Sequence, residues 1–153
     1  MERLKLINTE REISNKDIDE LEQMLNAKLP NSFIHFYKMN NGGSTGKMKY
    51  SFGEELIYPC HYFYSIKFGE KNIKVIMDLI KNKGIPCMNM LPFAYNHSNQ
   101  YYLLSLNPDT YGQIFVWESN HCLSSGGQLV YHCASFEKML EGMSMSFTTI
   151  KKI

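Results

Sequence analysis

The sequence predicts a single α+β domain, an antiparallel β-meander of about four to six strands flanked by N-terminal, middle and C-terminal helices. Three observations predict it. Apolar residues recur at helical spacing near the start, in the middle and near the end of the chain. Between those stretches lie short runs rich in aromatic and β-branched residues, separated by Pro, Gly and Asn. Finally, 153 residues suffice for one well-buried core and are too few for two ordinary domains.

The first helix is expected over residues 15–26. Ser14 or Asn15 can cap it, because a short polar side chain accepts from the open N–H groups of a first turn. Asp17, Asp19 and Glu20 suit the positive end of the helix dipole, and Ile18, Leu21, Met24 and Leu25 form one stripe. Leu29-Pro30 then opens a second helix, since a proline loses nothing in a first turn. Phe33, Phe36 and Tyr37 share its face, and Asn41-Gly42-Gly43 should end it, with glycine in the left-handed conformation of a C-terminal cap.

Strand-like runs follow at residues 49–52, 55–58 and 61–66, broken by Pro59. Helical period returns over 70–83 with Ile73, Ile76, Met77 and Ile80, and Gly84 and Pro86 stop it. Two strands, 101–106 and 113–118, flank a turn carrying Pro108 and Gly112, the pattern of a hairpin. Ile114 to Trp117 is apolar at every position, as expected of a central strand covered on both faces. Residues 129–133 read as one more strand. Ser135 caps a last helix bearing Phe136, Met139, Leu140 and Met143.

Composition narrows the function. Hydrophobic residues make up 44% and charged residues 20%, the balance of a folded globular chain. The net charge of +1 gives no bulk attraction to nucleic acid, which is not the expected partner. No apolar run reaches membrane-span length, and the first 14 residues lack the apolar core of an export signal. Cys60, Cys87, Cys122 and Cys133 form no CxxC pair and read as reduced thiols of a cytoplasmic protein.

No motif demands catalysis. Cys60-His61, His121-Cys122 and His132-Cys133 put thiols beside imidazoles, but neighbours on a strand face opposite ways. Their spacing matches none of the usual zinc signatures, so no metal, cofactor or catalytic residue is assigned. Asn41 to Lys47 resembles a phosphate loop but follows a helix, where a phosphate loop follows a strand. Glu54-Glu55 reads as a solvated edge. The lysines at 67, 71, 74, 81 and 83 make a mildly basic stretch without the aromatic motif of an RNA binder.

What remains is surface recognition. Tyr58, Tyr62, Phe63, Tyr64, Tyr95, Tyr101 and Tyr102 crowd the β region, and alternation buries only part of them. Tyrosine offers large contact area at low entropy cost, with a hydroxyl for direction.

The ordered motifs resemble the SUKH superfamily, which groups bacterial toxin-immunity proteins with fungal cell-wall-assembly regulators. The resemblance rests on the acidic helix leading to Leu29-Pro30, the aromatic helix ending in Asn41-Gly42-Gly43, Leu91-Pro92-Phe93-Ala94 before a strand, Val116-Trp117, and Ser135-Phe136. It spans nearly the whole chain, and Asn96 departs from it where an acidic residue is common. It implies a domain over residues 1–153 that neutralises a cognate toxin, nucleases being one candidate class, by stoichiometric association without chemistry of its own. Structural roles fall to Leu29, Pro30, Asn41, Gly42, Gly43, Pro92, Phe93, Trp117 and Phe136, with Pro92 expected to fix a loop. The expected partner face is the solvent side of the meander, at Glu54, Glu55, Tyr58, Tyr62, Tyr64 and Tyr95. Alternatives are a general interaction module of the fungal regulator type, and a Cys–His enzyme or zinc protein near His121 and His132.

Overall fold

The computed structural model describes residues 4–45, 60–96, 98, 100–120, 122–124 and 126–143. The helix α1 spans Asn15–Leu25. Ser14 is its cap. Its Oγ accepts the Asp17 N–H at 3.3 Å, and the Asp17 carboxylate accepts the Ser14 N–H at 2.9 Å, so two open donors are satisfied reciprocally. Helix α2 spans Asn31–Met39 behind Pro30. The loop before it is pinned by the buried Glu22 carboxylate, which accepts the Leu29 N–H at 2.7 Å.

Next come β1 (Gly43–Ser44), β2 (Tyr62–Phe63), α3 (Ile73–Asn82), β3 (Met90–Tyr95), β4 (Tyr101–Ser105), β5 (Ile114–Ser119) and β6 (Gly127–Cys133). A last helix, α4, covers residues 136–143, and Ser135 Oγ accepts the Lys138 N–H at its start. The strands form one antiparallel sheet in chain order, a meander as expected. The runs expected at 49–52 and 55–58 lie outside the described residues.

The register sorts side chains onto two faces, because directly opposed residues of neighbouring strands point the same way. One face carries Phe63, Ala94, Tyr102 and Val116. There α2 and α4 pack an aromatic cluster, with Phe33 and Phe136 centroids 5.1 Å apart and Phe93 and Phe136 5.4 Å apart. Phe33 and Phe93 are wholly buried, and Leu29 and Phe136 nearly so. The opposite face is covered by α3, whose Ile73, Ile76 and Ile80 are buried against the sheet.

Four expectations need correction. Pro92 lies within β3 and fixes no loop. The ladder shifts between Pro92 and Ala94, and such a bulge is where a sheet tolerates a residue without an N–H. Gly42 and Gly43 do not cap α2, whose cap is the extended Asn40. They answer a steric demand, since a Cβ at Gly42 would stand 2.7 Å from Ser65 N and one at Gly43 2.6 Å from the Ile7 carbonyl oxygen. The strand read over 61–66 shrinks to Tyr62–Phe63, because the chain turns away and Ser65 bridges Asn72 instead. The strand buried at every position is β4; in β5, Phe115 stays half-buried against Tyr131.

Candidate partner-binding face

One line of register partners crosses the whole sheet: Ser44, Tyr62, Tyr95, Tyr101, Trp117 and Leu129. Three successive tyrosines therefore share the α3 face. Tyr62 and Tyr95 have centroids 5.5 Å apart and are half-buried, with one flank open to solvent. Tyr101 and Trp117 continue the line inward and are buried. Trp117 lies against Gly127, where a Cβ would come within 2.7 Å of the indole.

Tyr64 departs from its expected exposure. It is 3% exposed, because the chain turns after β2 and carries its ring beneath Tyr95, at a centroid distance of 5.3 Å. Tyr64 thus supports the face from below. Burial raises its phenol far above the ordinary range. Tyr62 is also raised, first by burial and then by the Glu10 carboxylate, with Lys71 opposing. Both hydroxyls are neutral near pH 7 and act as hydrogen-bonding groups. Glu54, Glu55 and Tyr58 lie outside the described residues.

Two lysines complete the arrangement. Lys71 precedes α3, and its Nζ stands 5.4 Å from the Tyr62 centroid and 5.5 Å from that of Tyr95. It also donates to Tyr95 Oη at 3.3 Å. Lys83 caps the other end of α3, donates to Tyr101 Oη at 3.2 Å and lies 5.7 Å from that ring. These are cation–π contacts, in which the ammonium meets the electron-rich ring face. Sequence reasoning missed both lysines as parts of the face. Their positions at the two ends of the expected helix were visible, but the register that brings Tyr62 opposite Tyr95 is a long-range property.

The lysine-rich stretch does not form one basic stripe. Lys67 Nζ lies 2.9 Å from Asp17 and 3.7 Å from Glu20, which holds the Asp17 carboxyl at about 2. Lys71 and Lys83 turn onto the tyrosines, leaving Lys74 and Lys81 as exposed cations on α3.

Among the described residues the cysteine and histidine side chains are not gathered into a cluster that could hold a metal. His132 packs edge-on to Tyr102, and burial lowers its pKa to about 4. Cys133 donates to the Ser135 carbonyl, and burial raises its thiol to about 11, far from the thiolate a nucleophile needs. Cys122 is exposed, and His121 lies outside the described residues. Among the described residues no group of three His, Cys, Asp or Glu side chains could hold a metal ion. No helix of the described residues is long and apolar enough to cross a membrane. An apolar groove of about 990 Å³ lies elsewhere, between residues 4–6, α2 and α4, lined by Leu4, Leu6, Phe36, Met39 and Leu140.

The described residues form a helix-backed meander with an aromatic flank. The chain belongs to the SMI1/KNR4 family (SUKH-1), whose model matches residues 12–142. Comparison with curated proteins returns no match.

Proposed function

We propose that this chain is a cytoplasmic immunity protein that binds a cognate toxin one to one and occludes it, without catalysis of its own. The observation that carries the reading is the half-buried Tyr62–Tyr95 pair, in contact with the Tyr64 ring beneath and the Lys71 ammonium beside it. Rings preset on a sheet lose little side-chain entropy on binding and supply the apolar anchors that dominate interface energies. Membership of the family supports a protein partner.

The test is co-expression with the toxin encoded beside this gene. Cells carrying both should grow, and cells carrying the toxin alone should not. Equal killing with and without this protein refutes the reading.

A further inference from the structure

We infer that the tyrosine face is built for a carboxylate-bearing patch of its protein partner, seated on Lys71 and Lys83. This rests on the proposed docking at Tyr62 and Tyr95 and names the chemistry of what docks there.

The geometry is that of a two-donor fork, made twice. Lys71 gives one N–H to Tyr95 Oη, and Lys83 gives one to Tyr101 Oη. An ammonium carries three donors, so each lysine retains others. A phenol oxygen that accepts from a cation keeps its own O–H as a donor, and that O–H is strengthened by polarisation. Each lysine–tyrosine pair thus carries an N–H and an O–H side by side, the pattern a carboxylate accepts through two oxygens, at the surface for Lys71–Tyr95 and part-buried for Lys83–Tyr101.

The charges agree. Among the described residues no carboxylate lies within ion-pair distance of Lys71 or Lys83, whereas Lys28 and Lys138 each have one and Lys67 has two. On the row itself the Glu10 carboxylate acts on Tyr62. The two lysines reach from opposite ends of α3 onto rings that are register partners, Tyr95 and Tyr101. Two separate cations with aromatic surface between them suit a protein patch of mixed acidic and apolar character. A nucleic acid backbone would need a longer row of cations.

The experiment is an NMR titration of the full chain with three probes: a short peptide of alternating Glu and Gly, its Gln–Gly counterpart, and a thymidine oligonucleotide of equal length. The Glu peptide should shift resonances of Tyr62, Tyr95, Tyr101 and the flanks of α3, and the other two should not. Lys71→Met and Lys83→Met should each weaken the effect about two- to fivefold, the size of a surface ion pair, while Lys71→Arg retains it. Met keeps the apolar stem, so the fold is preserved, and Lys74→Met serves as a control with no effect.

Equal shifts from the Gln peptide, stronger shifts from the oligonucleotide, shifts confined to Lys74 and Lys81, or no shift at all would each overturn the inference. So would self-association of the chain alone that Lys71→Met abolishes, which would make the acidic face of α1 on a second copy the occupant. Failure of the underlying reading is separate: Tyr62→Ala with Tyr95→Ala would then still protect cells from the toxin.

Discussion

The side-chain amide of Asn41 pairs with the backbone of Ile66 in both directions. Its Oδ1 accepts the Ile66 N–H at 2.7 Å and its Nδ2 donates to the Ile66 carbonyl at 3.0 Å. The same Nδ2 donates to the Arg11 carbonyl at 2.8 Å. One side chain at the end of α2 thus ties together the N-terminal segment and the turn after β2, and with it the strand that presents Tyr62.

Replacing it strands the buried Ile66 N–H and carbonyl and the part-buried Arg11 carbonyl. Asn41→Ala should cost about 2–4 kcal/mol, since each lost partner leaves a desolvated donor or acceptor. Urea unfolding followed by the emission of Trp117, the chain's one tryptophan, measures it. A loss below about 1 kcal/mol would show that water replaces the amide.

Gly42 adds a steric counterpart. Its φ is +74° and a Cβ there would meet the Ser65 backbone. Gly84 has a similar φ of +75° with open space around it. Gly84→Ala should therefore cost about 1 kcal/mol, the left-handed penalty alone, and Gly42→Ala about 2–4 kcal/mol. Equal costs would mean that the backbone around Ser65 yields readily.

Tyr37 is fully buried on the helical side of the sheet, and its hydroxyl donates to the Tyr64 carbonyl at 2.8 Å, with the Phe93 carbonyl at 3.2 Å. It anchors β2 and β3 where the tyrosine face begins. Tyr37→Phe keeps the ring and removes the donor, so a loss of about 1–2 kcal/mol is expected in thermal or urea unfolding. The same variant should bind the partner unchanged at temperatures where it is folded.

Acid should weaken the fold in two stages. Unfolded, His132 takes its proton near pH 6.5, and in the fold burial delays this to about 4. Between those values the unfolded state binds more protons, so stability falls as pH drops, by about 2–3 kcal/mol in all. Asp17 acts lower down. Its carboxyl is held at about 2 by the Lys67 hydrogen bond, so its contribution, present above about pH 4, is lost as pH falls toward 2. Unfolding midpoints of the parent and of His132→Gln across this range separate the two. The variant should lack the upper stage, and a parallel decline in both would assign that stage to another group.

The fold was legible in the sequence where local rules suffice. Helical spacing marked every helix to within a few residues, and Ser14 was one of the two cap candidates for the first. Pro92 misled because a bulge is set by tertiary pairing with β4, which no dipeptide reveals. Gly42 looked like a helix stop when its neighbour in space, Ser65, was the cause. For the face, tyrosine content pointed to the right region. The pairing of Tyr62 with Tyr95 and the turn that buries Tyr64 arise from long-range contacts, and so do the lysines over the rings.

Calorimetry of the purified chain with the toxin encoded beside it tests the central claim most directly, using the parent and the Tyr62→Ala, Tyr95→Ala double variant. One-to-one binding by the parent is expected, and affinity weakened at least about thirtyfold in the variant, the loss of about 2 kcal/mol of an aromatic anchor, both measured at a temperature where the variant is folded. Undiminished affinity in a folded variant would contradict it, and so would absence of binding by the parent.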